Sequence, residues 1–157
     1  MIMADMTVQD AVDIVRPVSS QDAIMCDLDG TLSLLNGRDP YKPETCNDDM
    51  VNKAVARVLE IFHAAGYKIV FLSGREETYK PQTISFLTKA VTFVDYMLFM
   101  RKAEDYRKDS IIKKELYDKE VKDWFNIIFA MDDRNQVVDM WRDEVGLTCF
   151  QVAEGDF

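Results

Sequence analysis

The chain has 157 residues, the length of one domain, and such a domain buries about 68–70% of its unfolded surface without a disulfide or metal staple. Apolar residues make up 48% and charged residues 30%, ordinary values for a globular protein. The balance of 19 Lys+Arg against 28 Asp+Glu gives −9, which excludes a protein that coats long nucleic acid but allows one phosphate-bearing end to be held in a local positive pocket.

Residues 1–20 read as an N-terminal extension, in which Val8, Ala11, Val12 and Val15 have the spacing of one short amphipathic helix ending before Pro17. The domain proper is expected over 21–157. Its first strand is the apolar run 23–26, ending at Asp27. Asn36-Gly37, Pro40 and Pro43 mark 31–46 as a loop. Val51, Ala54, Val55, Val58, Leu59 and Phe62 then share one helix face, with Thr45 and Asn47 as cap candidates and Gly66 as the stop. A second strand over 68–72 ends at Ser73-Gly74-Arg75, and a helix follows over 78–91. Next come a strand over 96–100, a helix from Asp109 to about Lys122, and a strand over 126–131 ending at Asp132-Asp133. A helix carrying Val137, Val138, Met140, Trp141 and Val145 is closed by Gly146, and a fifth strand covers 147–152.

Short apolar strands alternating with amphipathic helices predict an α/β domain: a five-stranded, Rossmann-like parallel sheet with helices on both faces. Ligands of such sheets bind outside the carboxyl ends of the strands. Asp27 and Asp29 follow the first strand, Ser73 and Arg75 the second, and Asp132 and Asp133 the fourth, so one rim gathers four carboxylates, a hydroxyl and an arginine.

Carboxylates so crowded need protons or a cation, and a hard oxygen-seeking ion such as Mg²⁺ fits. A carboxylate can attack phosphorus to give an aspartyl phosphate. A second one two residues on can protonate the leaving alkoxide and later take a proton from water. On a strand continuing straight, Asp27 and Asp29 would face one side, and Gly30 allows a sharp turn there. Lys113 lies one helical turn after Asp109 and would offset the charge of the transferring phosphoryl group.

Asp27-Leu28-Asp29-Gly30-Thr31-Leu32, then Ser73, Lys113 and Asp132-Asp133 in that order, resembles the haloacid dehalogenase (HAD) phosphohydrolase superfamily over residues 22–152. The resemblance implies Asp27 as nucleophile, Asp29 as acid and base, and Ser73 and Lys113 as phosphate ligands. It implies Mg²⁺ held by Asp27, the backbone carbonyl of Asp29, and Asp132 or Asp133.

Gly37-Arg38-Asp39-Pro40-Tyr41, Ser73-Gly74-Arg75, Met100-Arg101, Arg107-Lys108-Asp109, Asp132-Asp133-Arg134, Met140-Trp141-Arg142 and the tail from Gln151 to Phe157 are similar to the phosphatase domain of phage polynucleotide kinase–phosphatases. That likeness adds Arg38, Arg75 and Asp109 as functional residues, with Thr31 and Gly74 beside the substrate. It implies nucleic-acid end repair by removal of a 3′-phosphate from nucleic-acid ends or nucleotides. No G-x-x-x-x-G-K-[ST] occurs, so kinase activity is not expected, and a separate kinase or ligase is a candidate partner. The short stretches between motifs predict a minimal cap, and an open site suits the end of a bulky polymer.

A small-molecule nucleotidase of the same superfamily is the alternative. A response-regulator receiver places its acidic pair before its lysine, the reverse of the order here, and an inactive end-binding module would not need Asp27 and Asp29. Asp109 can also cap its helix. Arg101 and Arg107 read as surface or structural, His63 as surface, Cys26 as strand core, the methionines as mostly core, and Trp124 and Trp141 as core packing rather than base stacking. Three widely spaced cysteines, no apolar run of membrane-spanning length, and acids at Asp5, Asp10 and Asp13 instead of a signal sequence predict a cytoplasmic protein.

Overall fold

The computed structural model describes Thr7, Ile14 and residues 16–156. The short helix expected from Val8, Ala11, Val12 and Val15 lies outside the described residues. In chain order the elements are β1 (Asp22–Cys26), β2 (Ser33–Leu34), β3 (Met50–Val51), α1 (Lys53–Ala64), β4 (Lys68–Glu76), α2 (Lys80–Ala90), β5 (Met97–Arg101), α3 (Asp109–Leu116), β6 (Asn126–Arg134), α4 (Asn135–Asp139) and β7 (Cys149–Gly155). Helix α3 continues as a π-helical turn over Tyr117–Val121, and α4 continues as one over Met140–Val145.

Five strands form one parallel sheet, as the alternation of elements predicts, and their order is β5-β4-β1-β6-β7. Ile24 and Cys26 of β1, with Ile69 and Phe71 of β4, bury against Val55 and Leu59 of α1 and Phe86 and Leu87 of α2. The intervening Ala23, Met25, Val70 and Leu72 bury on the other face against Val137, Val138 and Trp141. Period-two alternation thus feeds two cores, and each fully buried large apolar side chain contributes about 1.5–3 kcal/mol.

Several expectations are corrected. The segment 31–46 is not all loop: it holds β2, which pairs antiparallel with β3, and a 3-10 helix over Pro43–Asp48. Val51 belongs to β3, and α1 is entered from Asn52 rather than from Thr45 or Asn47. The Asn52 side chain makes no cap; its Nδ2 donates to the Thr31 carbonyl at 3.0 Å, tying the start of α1 to the turn after Asp29. Strands β4 and β6 run on through Ser73-Gly74-Arg75 and Asp132-Asp133, with the pairing register shifting between Ser73 and Glu76 and between Asp132 and Arg134. Trp141 is core, whereas Trp124 is 66% exposed. His63 is not idle surface: its ring stacks on Phe93 and its Nε2 lies 2.7 Å from Asp95 Oδ1. Among the described residues no helix is long and apolar enough to cross a membrane.

Candidate active site

Sheet order places the site. The chain leaves β1 for β4 and β5 on one side and returns to β6 and β7 on the other, so a crevice opens at the carboxyl ends of β1 and β6. Cys26 pairs in register with Met131, and the Asp27 N–H donates to the Met131 carbonyl at 3.0 Å. Asp27 and Asp132, each one residue further on, therefore stand side by side. One oxygen from each of Asp27, Asp132 and Asp133 lies within 4.8 Å of the others.

Lys113 sits among them, 1% exposed, one turn along α3 from Asp109. Its Nζ donates to Asp27 Oδ1 at 2.7 Å and to Asp132 Oδ2 at 2.8 Å. Asp132 Oδ1 accepts the N–H groups of Asp133 and Arg134, which fixes the carboxylate plane. Thr31 Oγ1 donates to Asp27 Oδ2 at 3.1 Å. Burial alone would drive the proton off Lys113, but the carboxylates of Asp109, Asp132 and Asp27 outweigh it and hold the ammonium well above its usual range. Burial raises Asp27 and Asp132, with Lys113 opposing. It pushes Asp133 up to about 6, with the charge of Asp27 adding to it.

Asp29 is elsewhere. Strand β1 ends at Cys26 and the chain turns over 28–33, with Gly30 at φ +85°, so Asp27 and Asp29 do not share one face as a straight strand would have them. A Cβ at Gly30 would collide with the Asp133 carboxylate, so the turn needs glycine for space as well as for φ. The Asp29 carboxylate meets two arginines: Arg38 Nη2 at 2.6 Å from Oδ1, and Arg75 with Nε at 2.9 Å from Oδ2 and Nη2 at 2.8 Å from Oδ1.

Asp49, which sequence reasoning missed, completes this clamp. Its carboxylate accepts from Arg38 Nε at 2.8 Å, from Arg75 Nη2 at 3.2 Å and from Ser33 Oγ at 2.5 Å. Only its place just before β3 could have flagged it, and nothing in the chain's local pattern ties that place to Arg38 or Arg75. Burial opposes the charge on Arg75, yet its pairing with Asp29 raises its pKa.

On the far wall Asp109 lies against Gly74, where a Cβ would collide with its carboxylate. Burial would raise Asp109, but Lys113, Arg134 and Arg101 hold it below the usual carboxylate range. Arg101 is a structural brace: Nε donates to the Gly74 carbonyl at 2.7 Å and Nη2 to Asp109 Oδ1 at 3.1 Å. Arg107, at the cleft wall, pairs with Asp105 and Glu115. Ser73 is buried, its Oγ accepting the Arg75 N–H at 3.1 Å.

Of the predicted residues, Asp27, Asp29, Gly74, Arg75, Asp109, Lys113, Asp132 and Asp133 line one cleft of about 400 Å³, while Arg38, Thr31 and Ser73 stand behind that wall. Chemically, the cleft joins a buried carboxylate beside an ammonium, an all-oxygen donor set and the Arg75 guanidinium. These suit a reaction at an anionic phosphorus centre.

The family described as the polynucleotide kinase PNKP phosphatase domain matches residues 21–157. A protein of Autographa californica nuclear polyhedrosis virus, named as a bifunctional polynucleotide kinase/RNA ligase, is 33% identical over 133 residues, 83% of this chain and 19% of that protein. Two solved structures described as Pnkp1/Rnl/Hen1 complexes, one of them as an RNA repair complex, contain chains 53% identical to this one. Each superposes with a TM-score of 0.84 over 90% of this chain, covering 45% and 49% of those chains. This chain thus spans about a fifth of the viral relative and under half of each solved chain.

Proposed function

The chain belongs to the polynucleotide kinase PNKP phosphatase domain family and is a phosphatase, and on that premise we propose that it removes 3′-phosphates from polynucleotide ends, RNA ends included, through an aspartyl phosphate. The observation that carries the mechanism is the buried trio Asp27, Asp132 and Asp133 around the Lys113 ammonium, with Arg75 on the same cleft. The names of the relatives, a polynucleotide kinase/RNA ligase and an RNA repair complex, support the substrate class. We assign residues 21–157 to the phosphatase unit and 1–20 to an extension of it. A separate kinase or ligase partner is part of the same proposal, and the Pnkp1/Rnl/Hen1 complexes that contain the relatives support assembly with other proteins.

Asp27 attacks phosphorus; the bond from phosphorus to the sugar oxygen breaks, and Asp29 gives that oxygen its proton. Asp29 then takes a proton from water, whose oxygen displaces the Asp27 carboxylate from phosphorus and releases inorganic phosphate. Lys113 and Arg75 face the negative charge of the phosphoryl group, and Arg38 holds Asp29 in place. The donor set fits a hard divalent cation, since all three clustered side chains offer only oxygen. Asp27, Asp132 or Asp133 and the Asp29 carbonyl would hold Mg²⁺, which when bound supplies positive charge against the phosphate oxygens.

The test is a phosphate-release panel with oligonucleotides bearing a 3′- or a 5′-phosphate, and with nucleoside monophosphates, each with Mg²⁺ and with excess chelator. Release from 3′-ends, abolished by chelator, is expected. Faster release from 5′-ends, or from mononucleotides alone, would overturn the assignment.

A further inference from the structure

Six tyrosines occur in the chain, all among the described residues, and only Tyr41 and Tyr106 are exposed, at 73% and 83%. Both line the same cleft as Asp27 and Arg75. A lone exposed aromatic needs no explanation. The only two exposed rings of their type, at one mouth and from loops more than sixty residues apart in sequence, call for one.

Neither ring packs on another aromatic ring among the described residues. Yet both loops are pinned, and pinned by the arginines of the site. The Tyr41 N–H donates to Asp39 Oδ1 at 2.9 Å, and Arg38 Nη1 donates to the Asp39 carbonyl at 3.1 Å while its Nη2 holds Asp29. Tyr106 is presented between two carbonyls, of Asp105 and Arg107, that both accept from Arg101 Nη1 at 2.7 and 2.8 Å, while Arg101 Nη2 reaches Asp109. The rings are therefore solvent-facing, while the backbone that carries them is tied at set places relative to the reacting centre, which lowers the ordering penalty of binding. A volume of about 400 Å³ is at the small end of ligand sites and suits a single nucleotide unit. Base–aromatic stacking tolerates any base, because every base has a π face.

On the reading of the protein as a polynucleotide 3′-phosphatase, on which this rests, we propose that Tyr41 and Tyr106 form a stacking platform for the terminal nucleobase. The platform selects a phosphate on a base-bearing end over one on a bare sugar, without discriminating among the bases.

The experiment uses the full chain and two oligonucleotides identical except at the last residue: an ordinary nucleotide 3′-phosphate, or a tetrahydrofuran abasic 3′-phosphate. Wild type should prefer the base-bearing end and treat the four bases within a few-fold of one another. Tyr41→Ala and Tyr106→Ala should each lower kcat/KM on the base-bearing end by about 5- to 150-fold, mainly through KM, the range stacking is worth. Their rates on the abasic end should stay at the wild-type value, and Tyr41→Phe and Tyr106→Phe should restore the preference. Wild type acting equally on both ends, or Ala variants losing equally on both, overturns the platform and leaves the phosphatase reading standing. Wild type acting on neither oligonucleotide but on a small phosphomonoester overturns the nucleic-acid reading and the platform together.

Discussion

Asp29 and Asp49 converge on one guanidinium: Arg75 Nη2 lies 2.8 Å from Asp29 Oδ1 and 3.2 Å from Asp49 Oδ2. Arg38 repeats the arrangement, with Nη2 at 2.6 Å from Asp29 and 2.7 Å from Asp49. Two acids and two arginines thus form a closed, mostly buried square, in which each charge has two partners. Asp49→Ala should leave both guanidinium groups half-satisfied and cost about 3–5 kcal/mol of stability, the usual penalty for breaking a buried ion pair. Chemical denaturation of the variant measures it, and a loss under 1 kcal/mol would mean the square is not coupled.

Asp27→Asn keeps the side-chain shape and removes the nucleophile. Phosphate release should fall on the order of 10⁴- to 10⁶-fold, the scale seen when a nucleophile is deleted, with an unchanged circular dichroism spectrum. Residual turnover near wild type would rule out an aspartyl phosphate on this residue.

For Asp29→Asn the loss should depend on the leaving group. A nucleotide ester departs as a poor alkoxide and needs a proton, while an aryl phosphate departs as an acidic phenol and needs less help. The ratio of the two losses is the measurement. Equal losses would assign Asp29 to holding Arg38 and Arg75 rather than to proton transfer.

Gly155 closes the last strand against the acidic pair: a Cβ there would lie 2.7 Å from the Asp133 carbonyl oxygen and 2.9 Å from the Arg134 Cα. Backbone cannot swing aside as a side chain can. Gly155→Ala should therefore displace the Asp132–Asp133 segment and lower activity by about tenfold or more, although residue 155 itself does not line the cleft. Activity at the wild-type level, with an unchanged melting temperature, would show that β7 shifts instead.

The three thiols are buried. Burial, with the charge of Asp132 adding to it, pushes Cys149 up to about 12, and burial likewise raises Cys26 and Cys46. Native protein at pH 8 should give no fast reaction with a thiol reagent, and the unfolded protein should give three equivalents. The folded-state pKa lies above the unfolded value near 9, so the contribution of the neutral Cys149 thiol is full below pH 9 and is lost as pH rises toward 12. Midpoints of urea unfolding across that window follow the loss in wild type, and Cys149→Ala should lessen it, the remainder belonging to the other raised thiols.

Much of this protein is written locally. Apart from Lys68 and Asn126 at their starts, the runs at 23–26, 68–72 and 126–131 are apolar because both sheet faces are covered, so their number and kind are legible without a structure, and so are the acids at the carboxyl ends of the first and last of them. What stayed illegible depends on closure in three dimensions. Asp49 acquires meaning only when β2–β3 pairing carries it to Arg38 and Arg75, 11 and 26 residues away. Asp27 and Asp29, two residues apart, part company because β1 ends at Cys26 and the chain turns from Leu28 onward, one toward Lys113 and the other toward the arginines. Trp124 carries an apolar ring to the surface and Tyr41 and Tyr106 carry theirs to the cleft, since which face a loop residue takes is not a matter of period. Hydrophobic spacing encodes burial along a single element. The partners of a charge, and the direction a loop side chain faces, are decided by which elements the folded sheet brings together.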